Sequence, residues 1–414
     1  MSLRNILFGV LIFAFLLLFE LAPFLSLGKF APLVALKNVL LLAICYVQIQ
    51  RNWTRGLLLP WYVKVYSVLL LSLIVLETVF GYASNISSPV IGLMVLLIFI
   101  AYSDKRFIRY FYVSMIIVTI ISSIPLLYFY VKLGYYARTE IAFDKSMMTF
   151  LFAFCQVFLI LEAFRLKGRN KLLVISLFGY LFWCNAFILQ SKTSIFIALV
   201  VLGLLMVFRS GEVMLFLRRY YKIFVLGLIA IPFLPVHVEV PDDLKYAANK
   251  LTGSQVFVVK KKVKDETYTI RERLRNTTYQ VVLDNPFFGA GFGNQASALK
   301  ASKTGITEGE SQMLDLLLDG GITNLIAFLI LTIPIIVYAL CLIWQGYNSY
   351  TDSFVLFQTL SFLILCIANE ILNSVGWIFL GTIIYLTWHK NTIPFFYGRK
   401  NDAVFARKDK LVTE

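Results

Sequence analysis

Residues that bind metals or form disulfides are scarce in this sequence, which has two histidines and five cysteines in 414 residues. All five cysteines fall within apolar stretches that we predict to be membrane spans, and none has the spacing of a metal site. We interpret them as small apolar core residues, and we predict neither a bound metal nor a cofactor. The five are Cys45, Cys155, Cys184, Cys341 and Cys366.

Charged residues are also few, at 15% of the chain, whereas apolar residues make up 59% and the mean hydropathy is +0.80. This composition excludes an ordinary soluble domain. Apolar runs of about 18 or more residues recur along the chain, and each is long enough to cross roughly 30 Å of hydrocarbon. The sequence therefore predicts an all-α polytopic membrane protein with about 12 transmembrane helices.

The formal net charge of +15 does not indicate a nucleic-acid partner, because Lys and Arg in such proteins mainly set the topology. Most basic residues of the short loops fall on one side of the predicted spans, which places both termini in the cytoplasm. The predicted organisation has four parts. They are a membrane region with roughly nine spans at 1–237, a large periplasmic loop at 238–321, a further membrane region with about three spans at 322–389, and a basic cytoplasmic tail at 390–414.

Three arginines within five residues open the part of the loop that carries candidate chemistry, namely Arg271, Arg273 and Arg275. In a helix, Arg271 and Arg275 share one face. Two guanidinium groups on one face can hold a phosphate or pyrophosphate through paired charge-assisted hydrogen bonds. The alternative is a solvated helix with internal salt bridges, since Glu272 lies among the arginines.

A glycine-rich turn follows, in which Gly289, Gly291 and Gly293 alternate after a turn signal at 284–286. Alternating glycines allow positive φ angles or a close approach of the backbone to another group. The pattern is not a dinucleotide-binding motif, because its spacing is GxGxG and no predicted strand precedes it. A structural turn and a turn that shapes the substrate pocket both fit.

Two acidic residues, Glu308 and Glu310, precede an apolar helical stripe. A carboxylate at this position lies at the positive end of a helix, which favours an anion. Acidic residues are common there for helix stability alone, without a role in chemistry. Glu310 is our candidate for a general base that removes the proton of an attacking hydroxyl. We assign Glu308 no role in the chemistry.

Polar residues near the membrane boundary are further candidates. Lys192 lies in a very short turn between two predicted spans, and an ion pair with Glu77 or Glu370 is the alternative to a role in substrate binding. Tyr135 and Arg138 follow the fifth predicted span and could stack against sugar rings. For the tyrosine, the alternative is an anchor at the membrane interface.

In combination and order, these motifs resemble those of the bacterial O-antigen polymerase and O-antigen ligase superfamily. The run at 285–293 resembles the family pattern NPlxGxGxG, and the segment at 310–321 resembles HNxxLxxLxxxGxxG. Ser191-Lys192 resembles the SR motif that the family has at a short outer turn. The layout of about twelve spans with one large outer loop is also similar.

This resemblance implies a GT-C-like architecture and metal-independent glycosyl transfer at the periplasmic face of the bacterial inner membrane. Its donor and acceptor would be oligosaccharides linked to undecaprenyl pyrophosphate. By the same resemblance, Lys192 takes the place of the family's arginine, and one of Arg271, Arg273 and Arg275 binds the pyrophosphate. The expected partners are the lipid bilayer, a chain-length regulator and a repeat-unit flippase.

The sequence departs from the family pattern at two positions. Lys192 cannot grip phosphate with two parallel hydrogen bonds as arginine does. Glu310 stands where the ligases have a histidine, and this difference favours an inverting polymerase of O-antigen or a similar surface polysaccharide. The alternatives are a ligase that transfers the glycan to lipid A-core, and a transporter or flippase of a lipid-linked or anionic solute. Transporters usually show internal repeats and matching broken spans, and the sequence shows neither.

Overall fold

The computed structural model describes residues 3–24, 31–53, 59–133, 145–189, 191–208, 266–300, 311–345, 350–368 and 373–388. These residues form helices and contain no strand. In chain order the helices are α1 (Leu3–Phe24), α2 (Ala31–Asn52), α3 (Trp61–Val79), α4 (Ser87–Tyr102), α5 (Lys105–Leu133), α6 (Lys145–Arg165), α7 (Gly168–Trp183), α8 (Lys192–Phe208), α9 (Glu266–Asp284), α10 (Gln295–Leu299), α11 (Gln312–Gln345), α12 (Tyr350–Ala368) and α13 (Ser374–Trp388). A π-helical segment, Cys184–Leu189, follows α7.

Four of these helices contain segments long and apolar enough to cross a membrane, and several shorter helices are also apolar. The four segments are Trp61–Val79, Arg106–Tyr128, Met148–Arg165 and Gln312–Leu342. A helix pairs its own backbone N–H and C=O groups, which is why apolar helices suit the hydrocarbon layer. The chain is therefore a helical membrane protein. Residues 209–237, the end of the membrane region predicted at 1–237, lie outside the described residues.

Helix α6 occupies the centre of the bundle, because its span is more deeply buried than the other three. It packs against α5, α7, α8 and α12. The residues around it are largely aromatic: Phe154 lies 3.7 Å from Phe379 of α13 between ring centroids, and Phe158 stacks on Tyr112 of α5 at 5.1 Å. The bundle core is thus built from apolar side chains of many helices.

Small residues bring α4 and α13 into close contact. A Cβ added to Gly381 would lie 2.9 Å from Phe99 Cβ and 3.2 Å from the Leu96 carbonyl oxygen. Glycine allows two membrane helices to approach closely enough for dense packing. The contact therefore depends on the missing side chain.

We expect Gly381→Ala to destabilise the protein by about 1–3 kcal/mol, because the added methyl group must push the two helices apart. Gly203→Ala is the matched control, since Gly203 is an exposed helical glycine with open space around it. Alanine there should be neutral or stabilise by about 0.5–1 kcal/mol, through its better helix propensity. Thermal unfolding in detergent measures both, and equal effects would contradict the close contact.

Helix α11 is interrupted by a kink at Gly320 and Gly321, where the backbone leaves helical geometry. The kink separates residues 312–319 from the longer remainder of the helix, and α11 packs on α3. Helices α9 and α10 pack against α11 and against each other. Helix α9, which carries the arginines, and the short helix α10 therefore pack against the bundle at α11, near the kink.

Candidate active site

The glycine turn, defined here as residues 285–294, requires its three alternating glycines. Gly289, Gly291 and Gly293 have φ angles of 59°, 86° and 85°, in the region that side-chain-bearing residues rarely adopt. A Cβ on Gly289 would collide with carbonyl oxygens of α11, and one on Gly291 would collide with the Tyr82 carbonyl. The turn therefore packs its backbone directly against the backbone of two other elements.

One of these elements is the kinked helix α11. The Ala290 N–H donates to the Leu318 carbonyl oxygen at 2.7 Å, and the Ile322 N–H donates to the Pro286 carbonyl oxygen at 2.8 Å. A kink leaves helix carbonyl and N–H groups without their usual partners. The glycine turn supplies partners for two of these groups, which explains why it docks at the kink.

The other element is the loop between α3 and α4. The Phe292 carbonyl oxygen accepts hydrogen bonds from the N–H groups of Ser84 and Asn85, at 2.9 and 3.1 Å. The Asn294 side chain donates to the Tyr82 carbonyl oxygen, and the Tyr82 ring stacks on Phe288 with centroids 5.1 Å apart. The turn is thus held between α11 on one side and the α3–α4 loop on the other.

Two carboxylates lie beside adjacent N–H groups of the glycine turn. Glu77 is fully buried near the end of α3, and its Oε2 accepts the Phe292 N–H at 2.8 Å. Asp319, the last residue before the kink, lies within interaction range of the Gly293 N–H and the Gln295 side chain. The two carboxylates are close enough to interact electrostatically. Within the described ranges, Glu77 Oε1 has no hydrogen-bond partner.

We expect Glu77→Ala to destabilise the protein by about 1–3 kcal/mol, because it leaves the buried Phe292 N–H without an acceptor. Glu77→Gln is the control, since its amide oxygen can still accept that hydrogen bond. Thermal unfolding of the purified variants measures the difference. An alanine variant as stable as the glutamine variant would show that the hydrogen bond does not hold the turn.

Helix α9 carries the arginine cluster and is held in place by one apolar residue within that cluster, Leu274. Leu274 is buried against Leu299 of α10 and Leu318 of α11. Arg273 and Arg275, on either side of it in the chain, are exposed. The helix places Arg271 and Arg275 one turn apart on the same face, as the sequence predicts for a helix. Packing therefore fixes the backbone of the cluster while its described guanidinium groups stay accessible to a ligand.

Lys192 is the first residue of α8, and a buried polar network fixes this helix end. The Ser191 Oγ accepts hydrogen bonds from Thr149 Oγ1 at 2.9 Å and from the Ser194 N–H at 3.4 Å. The Asn185 side chain, in the π-helical segment, donates to Ser194 Oγ at 2.7 Å. Ser191 thus acts as an N-cap, and the backbone of Lys192 stands at the positive end of the helix.

Other predicted site residues lie outside what the structure describes. Glu310, Tyr135 and Arg138 fall outside the described ranges, as do the side chains of Lys192 and Arg271. The roles of all predicted site residues remain predictions. Among the described residues, no group of three His, Cys, Asp or Glu side chains is placed to hold a metal ion.

Two acidic residues have contacts that the sequence motifs do not reveal. In the sequence, Glu77 is only a possible ion-pair partner of Lys192, and no motif assigns a role to Asp319. In the structure, Glu77 accepts a hydrogen bond from the glycine turn, and Asp319 lies beside the turn. A carboxylate near the end of a predicted span, with no nearby basic residue in the chain, is the only sequence signal for Glu77.

Comparison with known proteins identifies one family. Residues 175–329, less than half of the chain, match the family model described as O-antigen ligase. The matched region includes Lys192, the arginine cluster, the glycine turn, Glu310 and the kink of α11. No curated protein matches the chain. The family match confirms the resemblance indicated by the motifs: over residues 175–329, this chain is similar to the O-antigen polymerase and O-antigen ligase superfamily.

Proposed function

We propose that the protein polymerises lipid-linked oligosaccharide repeat units at the periplasmic face of a bacterial inner membrane. The observation that carries this proposal is the family match, which covers every polar motif from the Lys192 turn to the kink of α11. We also propose that the protein has about twelve spans in a GT-C-like architecture, with both termini in the cytoplasm. A chain-length regulator and a repeat-unit flippase are its expected partners.

In the proposed reaction, a hydroxyl oxygen of the next lipid-linked repeat unit attacks the anomeric carbon of the growing chain. Glu310 takes the hydroxyl proton as the new glycosidic bond forms. The bond between the anomeric carbon and the phosphate oxygen breaks, and its electron pair leaves with undecaprenyl pyrophosphate. Attack opposite the leaving group inverts the anomeric configuration, and the phosphoglycosyl bond supplies the energy without a nucleotide.

Positive groups stabilise the charge that develops on the departing pyrophosphate. Arg271 and Arg275 share a face of α9, and Lys192 begins α8 at a helix N-terminus, where an anion is favoured. Donors held in place before the reaction need no rearrangement as the charge develops, and each is worth about 3–4 kcal/mol. The anchoring of α9 by Leu274 and the capping of α8 by Ser191 support such preorganisation.

The glycine turn has a supporting role in this scheme. It follows the arginine-bearing helix α9 in the chain and is hydrogen-bonded to α11, which begins at Gln312, two residues after Glu310. Backbone hydrogen bonds to α11 and to the α3–α4 loop hold both ends of the turn. A displacement of the turn would therefore change the spacing between the proposed base and the proposed pyrophosphate-binding residues.

A ligase is the second candidate, because the matching family model is described as O-antigen ligase. Glutamate at 310, where ligases have histidine, is the residue that favours the polymerase. Purified protein in nanodiscs separates the two reactions. We expect a ladder of products from the lipid-linked repeat unit alone. Transfer to lipid A-core without any chain growth would overturn the polymerase proposal in favour of the ligase.

The arginine pair can be tested separately. We expect Arg271→Lys and Arg275→Lys each to lower kcat/KM about tenfold, because lysine loses one charge-assisted hydrogen bond worth about 1.5 kcal/mol. Arg273→Lys is the matched control, since Arg273 lies off the shared face. Initial rates of chain growth with purified protein measure the effect. If Arg273→Lys has the largest effect, the pyrophosphate is held by the other side of α9.

A further inference from the structure

Large apolar side chains are exposed where α9 meets the glycine turn. Leu283 is 74% exposed, Phe287 is 68% exposed, and Phe80 at the end of α3 is 63% exposed. We refer to these three residues as the apolar rim. Phe80 and the adjoining Phe288 have ring centroids 6.3 Å apart, so the end of α3 and the glycine turn form one surface. Large apolar side chains exposed together at one end of the bundle indicate a binding partner.

The rim continues the exposed faces of two membrane spans. On α3 the exposed apolar side chains follow helical spacing toward Phe80, and they are Val65, Val68, Leu71, Val75 and Val79. On α11 they lead toward the kink, and they are Ile322, Ile326, Ile333, Val337 and Leu340. Both helices contain candidate spans, so these exposed apolar faces are suited to contact with the acyl chains of lipids. The rim adjoins both of them, through Phe80 and through the hydrogen bond of Ile322 to Pro286.

The length of α3 places the rim near the edge of the hydrocarbon layer. Its 19 residues extend about 28 Å, close to the roughly 30 Å thickness of a bilayer core. Residues directly after its end, including Phe80, therefore lie at the boundary between acyl chains and headgroups. Phe and Leu are among the side chains that interfacial segments bury in this boundary.

Helix α9 changes character along its length. Its last turn exposes Leu283, whereas Arg273 and Arg275 are exposed two to three turns earlier. Helices that lie in the membrane interface combine an apolar part that enters the acyl boundary with basic residues at the level of anionic headgroups. Arg275 is about 12 Å from Leu283 along the helix, whereas one headgroup region is about 5–8 Å thick. A helix inclined toward the membrane plane would therefore keep Arg275 at the level of the headgroups.

We propose that the apolar rim is a membrane-binding surface that inserts into the outer boundary of the bilayer and holds the end of α9 there. Its occupant is lipid, because the rim adjoins lipid-facing helix faces. The arginines of α9 are then held beside the headgroups. This last consequence rests on the proposed function, since it brings them to the level at which a lipid-linked pyrophosphate lies.

The test uses the full chain in phosphatidylcholine nanodiscs, with Cys341, the exposed native cysteine among the described residues, replaced by Ser. An environment-sensitive fluorophore is attached to Phe287→Cys, and to Ala296→Cys as the control on the exposed face of α10. We expect the label at 287 to be quenched more strongly by acyl-chain nitroxide lipids than by aqueous iodide. The label at 296 should show the opposite preference. Leu283→Cys repeats the measurement should Phe287→Cys fail to purify as a folded protein.

A label at 287 that prefers iodide, as at 296, would overturn the proposal by showing that the rim faces water. Weak quenching by both agents would also overturn it, because protein rather than lipid would then cover the rim. Neither readout requires catalysis. An inactive protein with a lipid-embedded 287 would refute the proposed function alone, and an active protein with a water-exposed 287 would refute the membrane surface alone.

Discussion

Glu310→Gln is expected to abolish growth of the glycan chain while the protein remains at normal levels in the membrane. Glutamine preserves the size and polarity of the side chain but cannot take the proton of the attacking hydroxyl. Loss of a general base typically lowers the rate by about 10²–10⁴-fold, which would remove a visible product ladder. Gel electrophoresis of the glycan and immunoblotting of the membrane fraction measure the two quantities.

The control for this experiment is Glu308→Gln, two residues earlier in the same acidic segment. It removes an equal charge near the start of α11, so it reproduces any effect of charge on the helix end. We expect its product ladder to be normal. An unchanged ladder in the Glu310 variant would exclude this residue as the base, and equal loss in both variants would indicate a general role of negative charge.

Gly291→Ala is expected to eliminate activity through the glycine turn itself. Alanine at a φ of 86° is strained, and its methyl group would collide with the Tyr82 carbonyl oxygen. The strain costs about 1–3 kcal/mol, and the collision adds a cost of similar size because backbone must move. The turn would separate from the α3–α4 loop, and the spacing between α9 and the start of α11 would change.

Gly81→Ala provides a control with the same strain and no collision. Gly81 has a φ of 73°, lies in the α3–α4 loop, and would have nothing within 4 Å of an added Cβ. We expect this variant to lose some stability but to keep its activity. Thermal unfolding and initial rates, measured together on both variants, distinguish strain from displacement of the turn. Equal activity in the two would mean that contact with the α3–α4 loop does not matter for catalysis.

The sequence predicts those features of this protein that depend on neighbouring residues. Hydrophobic runs identify the membrane class, and the alternating glycines predict positive φ angles, which Gly289, Gly291 and Gly293 have. The spacing of the arginines predicts that Arg271 and Arg275 share a face of a helix, and α9 is helical there. Each of these inferences requires only the geometry of a single segment.

Contacts between distant segments were not predictable in this way. The glycine turn is held by Glu77 and by main-chain groups of Ser84 and Asn85, which lie about two hundred residues earlier in the chain. Main-chain hydrogen bonds leave no mark in the sequence, because nearly every residue has the same donor and acceptor. Periodicity and motifs therefore identify the turn, but they do not show where it docks.

The hydrogen bond between Glu77 and the Phe292 N–H also has a consequence for biosynthesis, because 215 positions separate the two residues. At about 5–20 residues per second, a ribosome needs roughly 10–40 s to synthesise the intervening chain. During that interval α3 is already made, while the carboxylate of Glu77 still lacks this donor. A truncated chain that ends before the glycine turn lacks the Phe292 N–H that donates to Glu77. We expect membrane proteases to degrade such a chain faster than the full-length protein.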